Sequence, residues 1–132
     1  MTTRVAACHC GKLRAVCEGE PVRVSVCHCL ECQRRTGSAF GVSARYPKEK
    51  VRAEGPSRQY SRIADSGFRL TFDFCPSCGT TIHWHLDQFP EVTAVAVGAF
   101  ADRDFPAPQH SVFERSRHGW VEIAGASVQH KD

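Results

Sequence analysis

Eight cysteines fall within 132 residues, and seven of them sit in three short clusters. No other feature limits so strongly what this chain can become. The clusters are Cys8-His9-Cys10-Gly11, Cys27-His28-Cys29-Leu30-Glu31-Cys32 and Cys75-Pro76-Ser77-Cys78-Gly79. In the last, two residues between the cysteines let both sulfurs point at one ion, and the glycine permits the positive φ that closes such a turn. One such turn supplies two of the four ligands of a tetrahedral ion, so a second pair must come from elsewhere. A redox Cys-x-x-Cys pair would instead open a helix in a βαβ setting. Here the flanks, Phe68 to Phe74 and Ile82 to Leu86, alternate like strands.

The arithmetic of the clusters then suggests two zinc ions per chain. A closed structural site takes four thiolates and leaves three. Cys27, Cys29 and Cys32 lie within six residues and form the natural trio. Cys8 and Cys10 then pair with Cys75 and Cys78. Three protein ligands with an open position is the pattern of a catalytic zinc. The spacing alone equally permits two closed sites, with Cys17, His28, His9 or His83 as a fourth ligand. Cys17, beside Ala15 and Val16 in an expected strand, reads as a small buried hydrophobe. His28, between two ligands, is expected to point away from the ion.

The rest of the chain reads as all-β. Phe68, Leu70, Phe72 and Phe74 alternate with polar residues, as do Ile82, Trp84 and Leu86 with His83 and His85 opposite. Val92 to Ala99 is a near-continuous apolar run, expected as a central strand covered on both faces. Further strands are expected at 12–18, 22–26, 39–45, 59–62, 111–115 and 121–123. Turns are expected at Gly19-Glu20-Pro21, Tyr46-Pro47-Lys48, Glu54-Gly55-Pro56 and Ser66-Gly67. No segment keeps a helical period over three turns. Many short strands at regular spacing indicate a sandwich or half-open barrel, and the length suits one domain over residues 1–132.

Charge and hydropathy exclude some functions. The net charge is +3, and no block of five or six like charges appears. That argues against a nucleic-acid partner and fits small anionic ligands. The longest apolar run is far short of a membrane span. No apolar leader precedes the first cysteines, so a cytoplasmic location is expected, where cysteines serve metal or redox chemistry more than disulfides.

The order Cys-His-Cys-Gly, then Cys-His-Cys-x-x-Cys-Gln-Arg-x-Thr-Gly-Ser, then Phe-Cys-Pro-x-Cys-Gly-Thr resembles the glutathione-dependent formaldehyde-activating enzyme family, which includes centromere protein V. Gly98-Ala99-Phe100, Pro108-Gln109-His110, Glu114-Arg115-Ser116-Arg117 and Trp120 extend the resemblance through the tail. It departs at Gln33, where arginine is frequent, and at Cys17, where an aromatic is common. The resemblance implies a zinc-stabilised β-tent of two antiparallel sheets with little helix. It implies a structural zinc on Cys8, Cys10, Cys75 and Cys78 and a catalytic zinc on Cys27, Cys29 and Cys32. The implied activity is that of a carbon–sulfur lyase, which in reverse joins glutathione to formaldehyde.

An open three-thiolate zinc is soft and favours a sulfur ligand, so the expected substrates are a small thiol and an aldehyde. Arg34 and Arg35 follow Cys32 directly and are candidates to meet a carboxylate of a peptide thiol. His110 is a candidate acid, base or substrate contact. The rival class is a non-catalytic zinc module that binds protein or nucleic acid.

Overall fold

The computed structural model describes residues Met1–Asp132. Eleven strands form two sheets: β1 (Thr3–Ala7), β2 (Arg14–Glu18), β3 (Arg23–Cys27), β4 (Gly41–Pro47), β5 (Val51–Glu54), β6 (Arg58–Ile63), β7 (Arg69–Phe74), β8 (Thr81–Leu86), β9 (Val92–Ala96), β10 (His110–Val112) and β11 (Gln129–His130). One helix, α1 (Leu30–Thr36), and three single 3₁₀ turns complete the chain. The smaller sheet has the order β1-β2-β5, and the larger runs β11-β10-β3-β4-β9-β8-β7-β6. The protein is therefore mostly β and two-layered, as expected. The pairing is antiparallel throughout except at β10, which runs parallel to both β3 and β11.

Register explains which side chains share a face. Phe72 pairs with Trp84, Trp84 with Ala94, and Tyr60 with Phe72. Leu70, Phe72 and Trp84, with Ala94, therefore lie on one face of the large sheet, where they form a small apolar cluster. The opposite face carries Val24, Ala44, Tyr46 and Val95, which pack with Ala6, Leu13, Ala15 and Cys17 on or beside the small sheet as the main core. Burying a residue such as Leu13, 1% exposed, contributes about 2 kcal/mol. Cys8 and Cys75 belong to this same core, so the first and third cysteine clusters lie where the two sheets meet.

A bulge adjusts this arrangement next to the third cluster. Asp73 pairs with His83 and Phe74 with Thr81, leaving Ile82 as the extra residue. The bulge turns Ile82 into the core, where it is fully buried, and leaves Thr81 beside Phe74. Gly55 pins the small sheet: its φ is +99°, and a Cβ there would sit 1.9 Å from the Lys12 carbonyl oxygen. Only glycine lets β5 approach the loop between Cys10 and β2 so closely.

The structure departs from the sequence expectations at specific places. α1 spans seven residues, too short to show a helical period, and begins inside the second cysteine cluster. The apolar run from Val92 leaves the sheet at Ala96 and turns into 3₁₀ at Val97–Phe100. Within the sheet it is the central strand expected, with Ala94 in one cluster and Val95 in the other. Residues 121–123 form no strand, although Val121 is buried. The strand expected at 111–115 is only His110–Val112, because Phe113 takes a left-handed backbone (φ 56°) and a 3₁₀ turn follows. Strands β1, β5 and β11 carry no strong alternation and were not expected. The chain continues as strand through Tyr46 and Pro47, and the turn comes at Lys48–Lys50.

Candidate metal centre

The structure brings the seven clustered cysteines together in two groups. The sulfurs of Cys8, Cys10, Cys75 and Cys78 lie within 4.8 Å of one another, as do those of Cys27, Cys29 and Cys32. In the first group, the Cys10 sulfur lies 3.6 Å from both the Cys8 and the Cys75 sulfurs. Four sulfurs bound to zinc at 2.3 Å in a tetrahedron stand about 3.8 Å apart. The donor set is therefore close to the size of a tetrahedral zinc site.

Local backbone builds this group. β1 delivers Cys8, and Leu13 donates its backbone N–H to the Cys8 sulfur at 3.2 Å. Cys75-Pro76-Ser77-Cys78 forms the expected turn: Gly79 has φ +80° and donates its N–H to the Cys75 carbonyl at 2.8 Å. The Thr80 hydroxyl lies 3.3 Å from the Cys78 sulfur and accepts the His9 backbone N–H at 3.2 Å, tying the two halves together. Hydrogen bonds from Thr80, first its hydroxyl and then its backbone, draw the Cys78 thiol down to about 5. The group is thus prepared to hold a thiolate.

The trio is built by a strand end and a helix start. β3 ends at Cys27, and α1 begins immediately after Cys29, whose sulfur accepts the Cys32 backbone N–H at 3.2 Å. Hydrogen bonding from Cys27, then from Cys32, pulls the Cys29 thiol far below the ordinary thiol range, with a further contribution from the Arg62 charge. The same interactions push Cys27 up, with Cys29 as the first cause.

None of the four alternative ligands reaches the trio. Cys17 is fully buried in the main core, and burial pushes its thiol up to about 12. His28 is fully buried, with Nε2 2.9 Å from the Ser111 hydroxyl. His9 is exposed beside Thr80, and His83 stands with Asp73 and His85. No fourth His, Cys, Asp or Glu ligand atom joins the group of Cys27, Cys29 and Cys32.

Two cavities flank α1. One, of about 320 Å³, is lined by Glu31, Arg34, Arg35, Tyr60, Arg62, Phe72, Phe74 and Thr81. Arg35 stacks its guanidinium 4.4 Å from the Trp84 ring centroid and 5.5 Å from that of Phe72. That stacking holds it on the sheet face as a fixed cation. Arg34 is exposed and pairs with Glu31 at 2.5 Å. Arg62, from β6, lies 6.0 Å from the Phe72 ring centroid, and its charge reaches Cys29. The other cavity, of about 480 Å³, is lined by Leu30, Gln33, Arg34, Gly37, Ser38, Ala39, His118 and Trp120. There the Gln33 side-chain NH₂ donates to the carbonyls of His28 (2.9 Å) and Ser116 (3.1 Å), joining α1 to the C-terminal segment.

Arg34 lines both cavities and Arg35 one of them, with the Arg35 charge reaching Cys32, while His110 lines neither cavity. It sits in the sheet opposite Ser25, where burial and then the charge of Arg23 lower its pKa. Arg62 and Tyr60 were missed. Their alternation on β6 was visible, but only the β6–β7 register shows that they share the face of Phe72.

Comparison with known proteins agrees with this geometry. A crystal structure of a Rhodobacter sphaeroides protein superposes with a TM-score of 0.57 at 23% identity, covering 72% of this chain and 85% of that one; it shares the fold. Curated proteins from Fusarium vanettenii and Colletotrichum graminicola are 25% and 26% identical over 118 residues, 80% of this chain. Both carry the provisional name glutathione-dependent formaldehyde-activating enzyme. The chain spans 63% and 61% of their lengths. The profile described as glutathione-dependent formaldehyde-activating enzyme matches residues 3–116, and with that match spanning all three cysteine clusters the chain belongs to the glutathione-dependent formaldehyde-activating enzyme family.

Proposed function

We propose that this protein is a zinc-dependent carbon–sulfur lyase that reversibly joins a glutathione-like thiol to a small aldehyde. Cys8, Cys10, Cys75 and Cys78 would hold a structural zinc, and Cys27, Cys29 and Cys32 a catalytic one. The observation that carries the reading is the trio itself: three sulfurs gathered with no fourth side-chain ligand, with the charges of Arg62 and Arg35, which line a cavity beside α1, reaching Cys29 and Cys32. Zinc bound there would stabilise an incoming thiol as its thiolate and leave that sulfur nucleophilic.

The chain's own residues supply binding and orientation. Arg62 and Arg34 offer guanidinium forks to the carboxylates of a peptide thiol. Arg35, held by Trp84 and Phe72, contributes fixed positive charge beside Cys32. Tyr60, Phe72 and Phe74 give the cavity apolar walls against the peptide backbone. In the joining direction the substrate sulfur forms the new bond to the aldehyde carbon. The carbonyl π pair moves onto oxygen, and the proton released by the thiol ends there. The reverse direction breaks the same carbon–sulfur bond. No helix is long and apolar enough to cross a membrane, and a cytoplasmic, reducing setting suits seven thiolates.

The test is a panel of thiols with formaldehyde, followed by NMR, on wild type and Cys29→Ser. Wild type should accelerate the interconversion of glutathione and its hydroxymethyl adduct. Cys29→Ser should stay folded, lose one zinc and lose the acceleration. If Cys29→Ser unfolds as Cys78→Ser is expected to, the trio is structural and the enzyme reading fails.

A further inference from the structure

A third group of ligand-type side chains lies outside both cysteine sites. Asp73 and His83 are cross-strand partners on β7 and β8, and His85 follows two residues along β8. Their ligand atoms all lie within 4.8 Å of one another. Register places Asp73 and His83 on the sheet face away from Phe72 and Trp84, so the group is separated from the α1 cavities by the sheet itself.

Two observations point to a ligand. Asp73 and His83 are buried, at 5% and 7% exposure, yet Asp73 Oδ2 and His83 Nδ1 have no hydrogen-bond partner. Leaving two such atoms unpaired in the interior is destabilising. The two atoms stand 3.4 Å apart without the alignment of a hydrogen bond. Ligands bound to zinc at 2.0–2.1 Å in a tetrahedron are separated by about 3.3 Å, which is the spacing observed. Asp73 is also oriented from behind: its Oδ1 accepts from the Gln59 amide at 3.1 Å and from the Ser57 hydroxyl at 3.4 Å. Carboxylates that ligate metals are commonly held in this way. His85 is exposed and its ring lies 5.8 Å from that of His83, giving an ion a route from solvent.

We propose that Asp73, His83 and His85 form a third metal site, suited to a divalent transition ion that accepts imidazole and carboxylate ligands, with zinc as the reference case. Two imidazoles and one carboxylate leave further coordination to water. The site ties β7 to β8 two residues before Cys75, so occupancy stiffens the hairpin that presents the Cys75–Cys78 turn. It does not depend on the lyase reading, since its ligands and its face of the sheet are different.

The experiment uses untagged protein with its cysteine sites loaded with zinc. Titration with Zn²⁺ is followed by calorimetry and by ¹⁵N NMR of the histidine rings. One further saturable equivalent is expected, with the His83 and His85 ring nitrogens shifting and those of His9, His118 and His130 unmoved. His85→Ala, an exposed change, should weaken that equivalent at least tenfold while leaving the melting temperature of the metal-free-site protein and the cysteine-bound zinc unchanged. Absence of the equivalent, shifts confined to other histidines, or undiminished binding in His85→Ala would each overturn the proposal. The ring signals of wild type decide the matter even if the variant proves unstable.

Discussion

The Nε2 nitrogen of His28, the residue between Cys27 and Cys29, lies 2.9 Å from the hydroxyl of Ser111 on β10. Ser111 donates that hydroxyl to Glu114 Oε2 at 2.6 Å. The oxygen is therefore free to accept, and His28 must donate through Nε2. This chain anchors the Cys27–Cys29 segment to the parallel strand beside it. Burial lowers the His28 pKa, in keeping with a neutral ring. Ser111→Ala should leave the buried His28 donor unsatisfied. We expect a loss of about 1–3 kcal/mol in chemical denaturation and faster zinc release from the trio, with the four-cysteine zinc unaffected.

Arg62 tests the substrate cavity. Arg62→Ala should raise KM for a dicarboxylate thiol such as glutathione by roughly tenfold or more, since a charged hydrogen bond contributes about 1.5–3 kcal/mol. For a thiol without carboxylates, such as 2-mercaptoethanol, the loss should be much smaller, limited to the effect of the Arg62 charge on Cys29. Steady-state kinetics with both thiols checks this. Equal losses for both would show that Arg62 does not read carboxylates.

Cys17 has a predicted pH signature. Burial raises its folded-state pKa to about 12, whereas an unfolded thiol titrates near 8.5. Its contribution to stability is intact below about 8.5 and is lost as pH rises toward 12, because only the unfolded chain can ionise there. Wild type should lose stability across that window more steeply than Cys17→Ala, as measured by denaturation at successive pH values. In folded protein at neutral pH, Cys17 should also be alkylated more slowly than Cys27, Cys29 and Cys32, because it is fully buried in the main core.

Gly55→Ala tests how the small sheet is attached. The new Cβ would meet the Lys12 carbonyl at 1.9 Å, at a φ of +99°. Backbone must move, and a loss on the order of 3 kcal/mol is expected. Because the Lys12 loop adjoins Cys10 and Leu13, the variant should also release sooner, in a chelator competition, the zinc proposed for Cys8, Cys10, Cys75 and Cys78. An unchanged release rate would uncouple the loop from the metal site.

The gathering of Cys27, Cys29 and Cys32 was legible in the sequence because their spacing is local, whereas the grouping of Cys8 and Cys10 with Cys75 and Cys78 followed only from counting ligands. A turn with two intervening residues and a cluster within six must fold on themselves. The alternation of Phe68 to Phe74 and Ile82 to Leu86 likewise showed two strands of the larger sheet. What was hidden depended on register or on short length. α1 has seven residues, fewer than a hydrophobic period needs to show itself. The bulge at Ile82 reverses which neighbours face the core, and no composition signal marks it. Arg62 and Tyr60 join the cavity only through their pairing with β7. His110, singled out from the resemblance, lies between two strands away from both cavities, because β10 returns parallel to β3. Parallel pairing of so short a strand leaves no periodic trace.

The account turns on the coordination of the trio. Zinc K-edge X-ray absorption on protein carrying two zinc ions, with and without glutathione, tests it most directly. Seven sulfurs shared by the two ions, with the remaining position filled by a lighter atom, are predicted in its absence. Added glutathione should bring the total to eight. Eight sulfurs before any thiol is added, or a first shell that glutathione leaves unchanged, would contradict the account.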